Sequence, residues 1–135
     1  MSTARPTDLV LIDTCMWVPY FNRPNSIEKK AIDDLLDEDR AAITGLVLAE
    51  LLQGFQRNEQ ADWVASSLRG LHELEPQWDD WRHAAALGRR LAGQGHQLPL
   101  TDLVLATIAL RVDCAIYTID PHFDLVSSLR RFAPS

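Results

Sequence analysis

An α/β fold of three layers, with a central parallel sheet of four to five strands flanked by helices, is predicted by three observations on this 135-residue chain. Short apolar runs alternate with longer stretches of helical period. Strands separated by helices join one sheet through right-handed crossovers, which makes their pairing parallel. Two of the apolar runs end on an aspartate, the position where open parallel sheets bind ligands.

Taken in order, residues 8–12 read as the first strand, and helical text follows over Thr14–Tyr20 and Ser26–Glu38, with Ser26 as the N-cap of the latter. Ala41–Thr44 is a short strand. Gly45–Arg57 and Gln60–Arg69 are two further helices, and Leu71–Leu74 is a minor strand. Trp78, Trp81, Ala85 and Ala92 fall near helical spacing, which predicts a helix over Trp78–Leu91 ended by Gly93 and Gly95. Thr101–Arg111 is the next helix and Cys114–Ile119 the second clear strand. Asp120 and Pro121 then open a short helix, and Leu129–Phe132 adds an edge strand.

Composition narrows the function classes. At 47% hydrophobic, residues 1–135 read as a single domain able to bury a sizeable core. The start, MSTARPTD, lacks a charged segment followed by a long apolar stretch, and no apolar run approaches the roughly 20 residues of a bilayer crossing. A soluble cytoplasmic protein with no membrane partner is expected. Cys15 and Cys114 lie far apart, outside any zinc or disulfide spacing, and read as buried reduced thiols. The net charge of −6 argues against a nucleic-acid partner until the four acids below are set aside. The remainder is −2, and a divalent ion among those acids would attract anions.

Those acids stand where a soluble domain has least reason to put them. Asp13 closes LVLI, and Asp120 closes AIYTI. Glu50 is the only charge between Arg40 and Arg57, and Asp102 the only one between His96 and Arg111. Carboxylates in apolar surroundings lose hydration, and several together call for a cation. Each also has an ordinary explanation: Asp13 and Asp120 as N-caps, Asp102 as a complement to a helix dipole. Glu50, at the margin of an apolar helix face, serves neither purpose. Gly54, one turn on, costs about 1 kcal/mol against alanine and suggests room for something to approach. Oxygen donors without cysteine or histidine select Mg²⁺ or Mn²⁺ rather than zinc. His72, His83, His96 and His122 share no metal-ligand spacing, and His122 reads as a solvated residue at a helix start.

The strings LIDTCMW, TGLVLAELLQG, LPLTDLVLATIAL and YTIDPHFD, in that order, resemble PIN-domain ribonucleases, in particular the VapC-like toxins of type II toxin-antitoxin systems. The resemblance spans Leu9 to Phe132. It implies that Asp13, Glu50, Asp102 and Asp120 are the family's four acids, that Asp124 is an accessory acid, and that Thr118 is the hydroxyl residue two before the fourth acid. Asp13, Asp102 and Asp120 would bind metal, with Glu50 as a ligand or an orienter of water. Cys15 stands where a serine or another polar residue is usual, and Pro121 where a charge is common. A homodimer, an RNA substrate and a cognate antitoxin whose tail blocks the acidic crevice are also implied.

Substrate contacts are not disclosed by pattern. Arg57, Arg82, Arg89, Arg90, Arg111, Arg130 and Arg131 read mostly as solvated helix faces, and Trp17, Phe21, Trp78 and Trp81 as core or subunit interface. A phosphoacceptor receiver lacks its late lysine here, and a haloacid-dehalogenase-type phosphatase lacks its second aspartate after Asp13. From another class, a catalytically silent acidic module that engages a basic partner protein fits the same carboxylates.

Overall fold

Four short strands, β1 (Val10–Ile12), β2 (Ala41–Ile43), β3 (His72–Glu73) and β4 (Ala115–Tyr117), pair in parallel in the order β3-β2-β1-β4 in the computed structural model, which describes residues 5–135. Every residue of β1, β2 and β4 is buried, as a sheet covered on both faces requires. The chain steps from β1 through β2 to β3, then crosses back to place β4 on the other side of β1. The direction of winding therefore reverses between β1 and β4, and in open parallel sheets ligands bind beyond the carboxyl ends of strands at such a point.

Six helices fill the crossovers: α1 (Thr14–Asn22), α2 (Ile27–Asp37), α3 (Gly45–Gln53), α4 (Asn58–Leu68), α5 (Trp78–Gly93) and α6 (Leu100–Val112). Packing divides them into α1 with α2 and α3, α3 with α4, and α5 with α6. Ser26 caps α2 as its sequence predicts, its hydroxyl accepting from the Lys29 amide at 3.0 Å. Pro99 precedes α6, which is buried continuously from Asp102 to Ala109. A helix apolar all round belongs in the interior, and α5 closes over it. A Cβ at Gly88 would come within 2.9 Å of Leu103 Cδ1, so a larger residue there would push that buried leucine side chain aside. Trp17, Leu11, Ile32, Leu105, Ile116 and Phe123 are fully buried in one core, each contributing about 1.5–3 kcal/mol by burial.

Several boundaries differ from the sequence reading. The first strand loses residues 8 and 9 because Pro6–Asp8 forms a 3-10 turn. The helix expected to reach Arg57 stops at Gln53, and Gly54 is its C-cap, with a φ of −77°. Gly54 therefore ends the helix rather than making room beside Glu50. A Cβ there would meet the Leu51 carbonyl at 3.4 Å. The second clear strand shortens to β4, and Leu129–Phe132 contributes a single parallel bridge, Arg131 with Ile116. Trp17 lies in the core, whereas Trp78 and Trp81 are 79% and 45% exposed. Cys114 is buried, and that burial pushes its thiol up to about 11. No helix among the described residues is long and apolar enough to cross a membrane.

Candidate metal centre

The ladder that pairs Ile12 with Tyr117 brings the residues after both strands side by side. Asp13 follows β1 and caps α1, its Oδ1 accepting from the Thr14 amide at 2.8 Å. Thr118 follows β4 and donates its hydroxyl to Asp13 Oδ2 at 2.9 Å. The same hydroxyl accepts from the Asp120 amide at 3.0 Å, which holds the last acid over the rim. Asp120 in turn caps the 3-10 turn Pro121–Leu125, accepting from the His122 amide at 2.9 Å. The capping role and the site role of Asp13 and Asp120 are thus one geometry: a cap turns the carboxylate toward the strand end.

Asp102 arrives from the first turn of α6. Helices in such crossovers run opposite to the strands, so the start of α6 faces the same rim. Its carboxyl is held above the usual carboxylate range, first by burial and then by the charges of Asp120 and Asp13, with the His122 hydrogen bond opposing. His122 supplies what the sequence reading missed. Its Nδ1 lies 3.1 Å from Asp102 Oδ2 and 3.2 Å from Asp120 Oδ1. The hydrogen bond to Asp102 and the charges of both acids raise the imidazole above its ordinary value. A weak signal was present in the sequence, since His122 is two residues beyond Asp120, but only the fold brings Asp102 to it.

Asp102, Asp120 and His122 offer one donor atom each within 4.8 Å of one another, and this is the tight group at the centre. Asp13 stands just outside it, joined through Thr118. Glu50 is half-buried one step further away and accepts from the Thr14 hydroxyl at 3.0 Å. Cys15 lies between, its thiol 3.6 Å from Asp13 Oδ2 and 3.5 Å from Thr118 Oγ1, and burial raises it. Asp124 does not join the acids; its Oδ1 pairs with Arg131 Nη1 at 2.6 Å. Arg131 also donates to the Thr118 carbonyl at 2.6 Å, so this arginine anchors the strand end that carries Thr118.

The family model of the PIN domain matches residues 10–129. This chain belongs to the PIN-domain family. It is 28% identical over 125 residues to Ribonuclease VapC11 of Mycobacterium tuberculosis and to VapC ribonuclease Mb1587 of Mycobacterium bovis. In both comparisons the match covers 90% of this chain and 93% of the relative. The fold is similar to that in the crystal structure of VapBC2 from Rickettsia felis bound to a DNA fragment from their promoter. There the TM-score is 0.79 at 20% identity, over 92% of this chain and 97% of that one. The acids of this PIN domain thus occupy the switch point of its sheet.

The donor set fits a hard or borderline divalent cation. Carboxylate oxygens dominate it, two of the three clustered donors are acids, and the cost of gathering their charge in a partly buried crevice is what such an ion relieves.

Proposed function

We propose that this PIN domain is a metal-dependent endoribonuclease, the toxin of a type II toxin-antitoxin pair acting in the cytoplasm, which hydrolyses RNA phosphodiester bonds. The observation that carries the reading is the convergence of Asp102 and Asp120 from separate elements, with Asp13 one hydrogen bond away, at the rim where β1 and β4 end. Relatives over nine-tenths of the chain named as ribonucleases support it.

Asp102 and Asp120 would hold Mg²⁺ or Mn²⁺ with Asp13, and Glu50, tied to the hydroxyl of Thr14, whose amide holds Asp13, would orient water. A bound ion supplies positive charge for the phosphoryl oxygens and lowers the pKa of a coordinated water. The chain's own residues set the geometry. Thr118 fixes the spacing of Asp13 and Asp120, Arg131 fixes Thr118, and the buried run of α6 from Asp102 to Ala109 keeps Asp102 turned inward. Thr118→Val keeps the shape and removes the hydroxyl. It is expected to lower cleavage by about 10- to 100-fold, as loss of a residue that orients ligands does, with Thr118→Ser restoring most of it. Equal activity of the valine variant would remove Thr118 from the machinery.

A homodimer and a cognate antitoxin complete the proposal. Trp78, Trp81 and Leu110 are exposed apolar residues of α5 and α6, and Trp63 is another on α4. Such surfaces mark interaction sites.

The test is incubation of the antitoxin-free chain with total cellular RNA. Discrete cleavage with Mg²⁺ or Mn²⁺ that stops in EDTA is expected. Cleavage that persists in EDTA would overturn the metal dependence. Absence of any cleavage, with retained binding of a basic partner protein, would favour the silent module.

A further inference from the structure

We propose that the His122 imidazole is itself a ligand, making the centre a mixed set of two carboxylates and one nitrogen that prefers Mn²⁺ to Mg²⁺. The inference rests on the metal-binding reading above and adds a donor and a preference to it.

Two carboxylates from different elements converge on one nitrogen. Nδ1 is 3.1 Å from Asp102 Oδ2 and 3.2 Å from Asp120 Oδ1. An imidazole nitrogen carries one proton at most, so a single N–H there would be shared between the two acceptors in a bent three-centre bond. Neighbouring ligand atoms around a six-coordinate ion stand about 3 Å apart when the bonds are about 2.1 Å long, which matches both separations. The three donor atoms form a compact triangle with all separations within 4.8 Å.

The aim of the ring is built into the chain. The His122 amide is fixed on Asp120 Oδ1 at 2.9 Å, Pro121 stiffens the residue before it, and Phe123, 1% exposed, is sunk in the core after it. Anchors on both sides hold the backbone of His122 at the rim. The neighbouring soft donor does not compete, because Cys15 faces Asp13 and Thr118 instead.

Donor chemistry then sets the preference. Carboxylates serve Mg²⁺ and Mn²⁺ alike, but imidazole nitrogen suits the transition ion, and Mg²⁺ gives up its waters reluctantly. The competing role for the same geometry is an internal counter-cation that must leave when metal binds. The two roles predict opposite consequences of removing the ring.

The experiment is calorimetric titration of the full chain, free of antitoxin, with Mn²⁺ and separately with Mg²⁺, together with pulsed electron paramagnetic resonance of the Mn²⁺ complex. Wild type, His122→Ala and Asp102→Asn are compared at one fixed pH above the imidazole range, with circular dichroism to show that each is folded. The expected result is nitrogen coupling to Mn²⁺ in wild type that is absent from His122→Ala. Mn²⁺ binding should weaken about tenfold in that variant and Mg²⁺ binding by less than about threefold. Metal bound by wild type with no nitrogen coupling overturns the proposal while leaving the carboxylate site standing. Tighter binding by His122→Ala also overturns it, in favour of the counter-cation. If wild type binds neither ion, and Asp102→Asn is indistinguishable from it, the metal-binding reading falls as well.

Discussion

Asp102→Asn should abolish metal-dependent RNA cleavage, with a loss on the order of 10³-fold or more, while leaving the fold intact. Asp102 is the acid that the clustered geometry depends on most, because it is 9% exposed and joins α6 to the rim formed by β1 and β4. Asparagine keeps the shape and one oxygen but removes the charge. The sign of the stability effect follows from its raised carboxyl. A group held above its unfolded value costs stability in its ionised form, and the cost grows as pH rises from the unfolded value to the folded one. At neutral pH and without metal, Asp102→Asn should therefore melt no lower than wild type. Added Mn²⁺ should raise the melting temperature of wild type by mass action and leave the variant unmoved. Full cleavage by the variant, or a Mn²⁺ shift equal to that of wild type, would remove Asp102 from the site.

Arg111→Met is expected to produce the largest stability loss of any single ion-pair change, about 2–4 kcal/mol. Asp80, at the start of α5, has a side chain with 0% exposure, and both its oxygens accept from Arg111 Nε, at 2.9 and 3.0 Å. The Gln77 amide donates to it as well, at 2.8 Å. Burial pushes this carboxyl up, yet the Arg111 and Gln77 hydrogen bonds prevail and hold it below the usual carboxylate range. Removing one partner of a buried pair costs about 3–5 kcal/mol, and the figure here is lower because Arg111 keeps about a third of its side chain in water. The pair's stabilisation is fully present above the unfolded carboxyl value of about 3.9 and is lost as pH falls through the lower folded value. The gap between wild type and variant in urea unfolding should therefore narrow in acid. If the double variant Asp80→Asn, Arg111→Met is as unstable as Arg111→Met, an uncompensated carboxylate is not the cause.

These two sites differ in how far the sequence discloses them. Asp13 and Asp120 stand out because an acid that ends an apolar run is visible in one dimension, and Asp102 and Glu50 because each is alone in a long uncharged stretch. Asp80 sits among Asp79 and Arg82 in ordinary helical text, and nothing local tells it from a solvated acid. Its burial comes with the packing of α6 on α5, which brings Arg111 to it across 31 residues of sequence. Asp124 shows the converse. The family resemblance implied it as an accessory acid, but Arg131 pairs with its carboxylate.

The chain's local pattern by itself determined the alternation of strand and helix, the parallel pairing and the caps at Ser26, Asp13 and Asp120, and it singled out the acids proposed for the site. Those depend on periodicity, side-chain chemistry and short-range hydrogen bonds, which neighbouring residues carry. The tertiary structure alone decided that β4 lies beside β1, that Thr118 bridges Asp13 and Asp120, and that His122 meets Asp102 across 20 residues of sequence. Gly54 and the shortened strands belong with these, since chain ends and turns are set by how the core closes. Strand order is a global choice among packings of the same elements, and the composition of the metal centre follows from that choice.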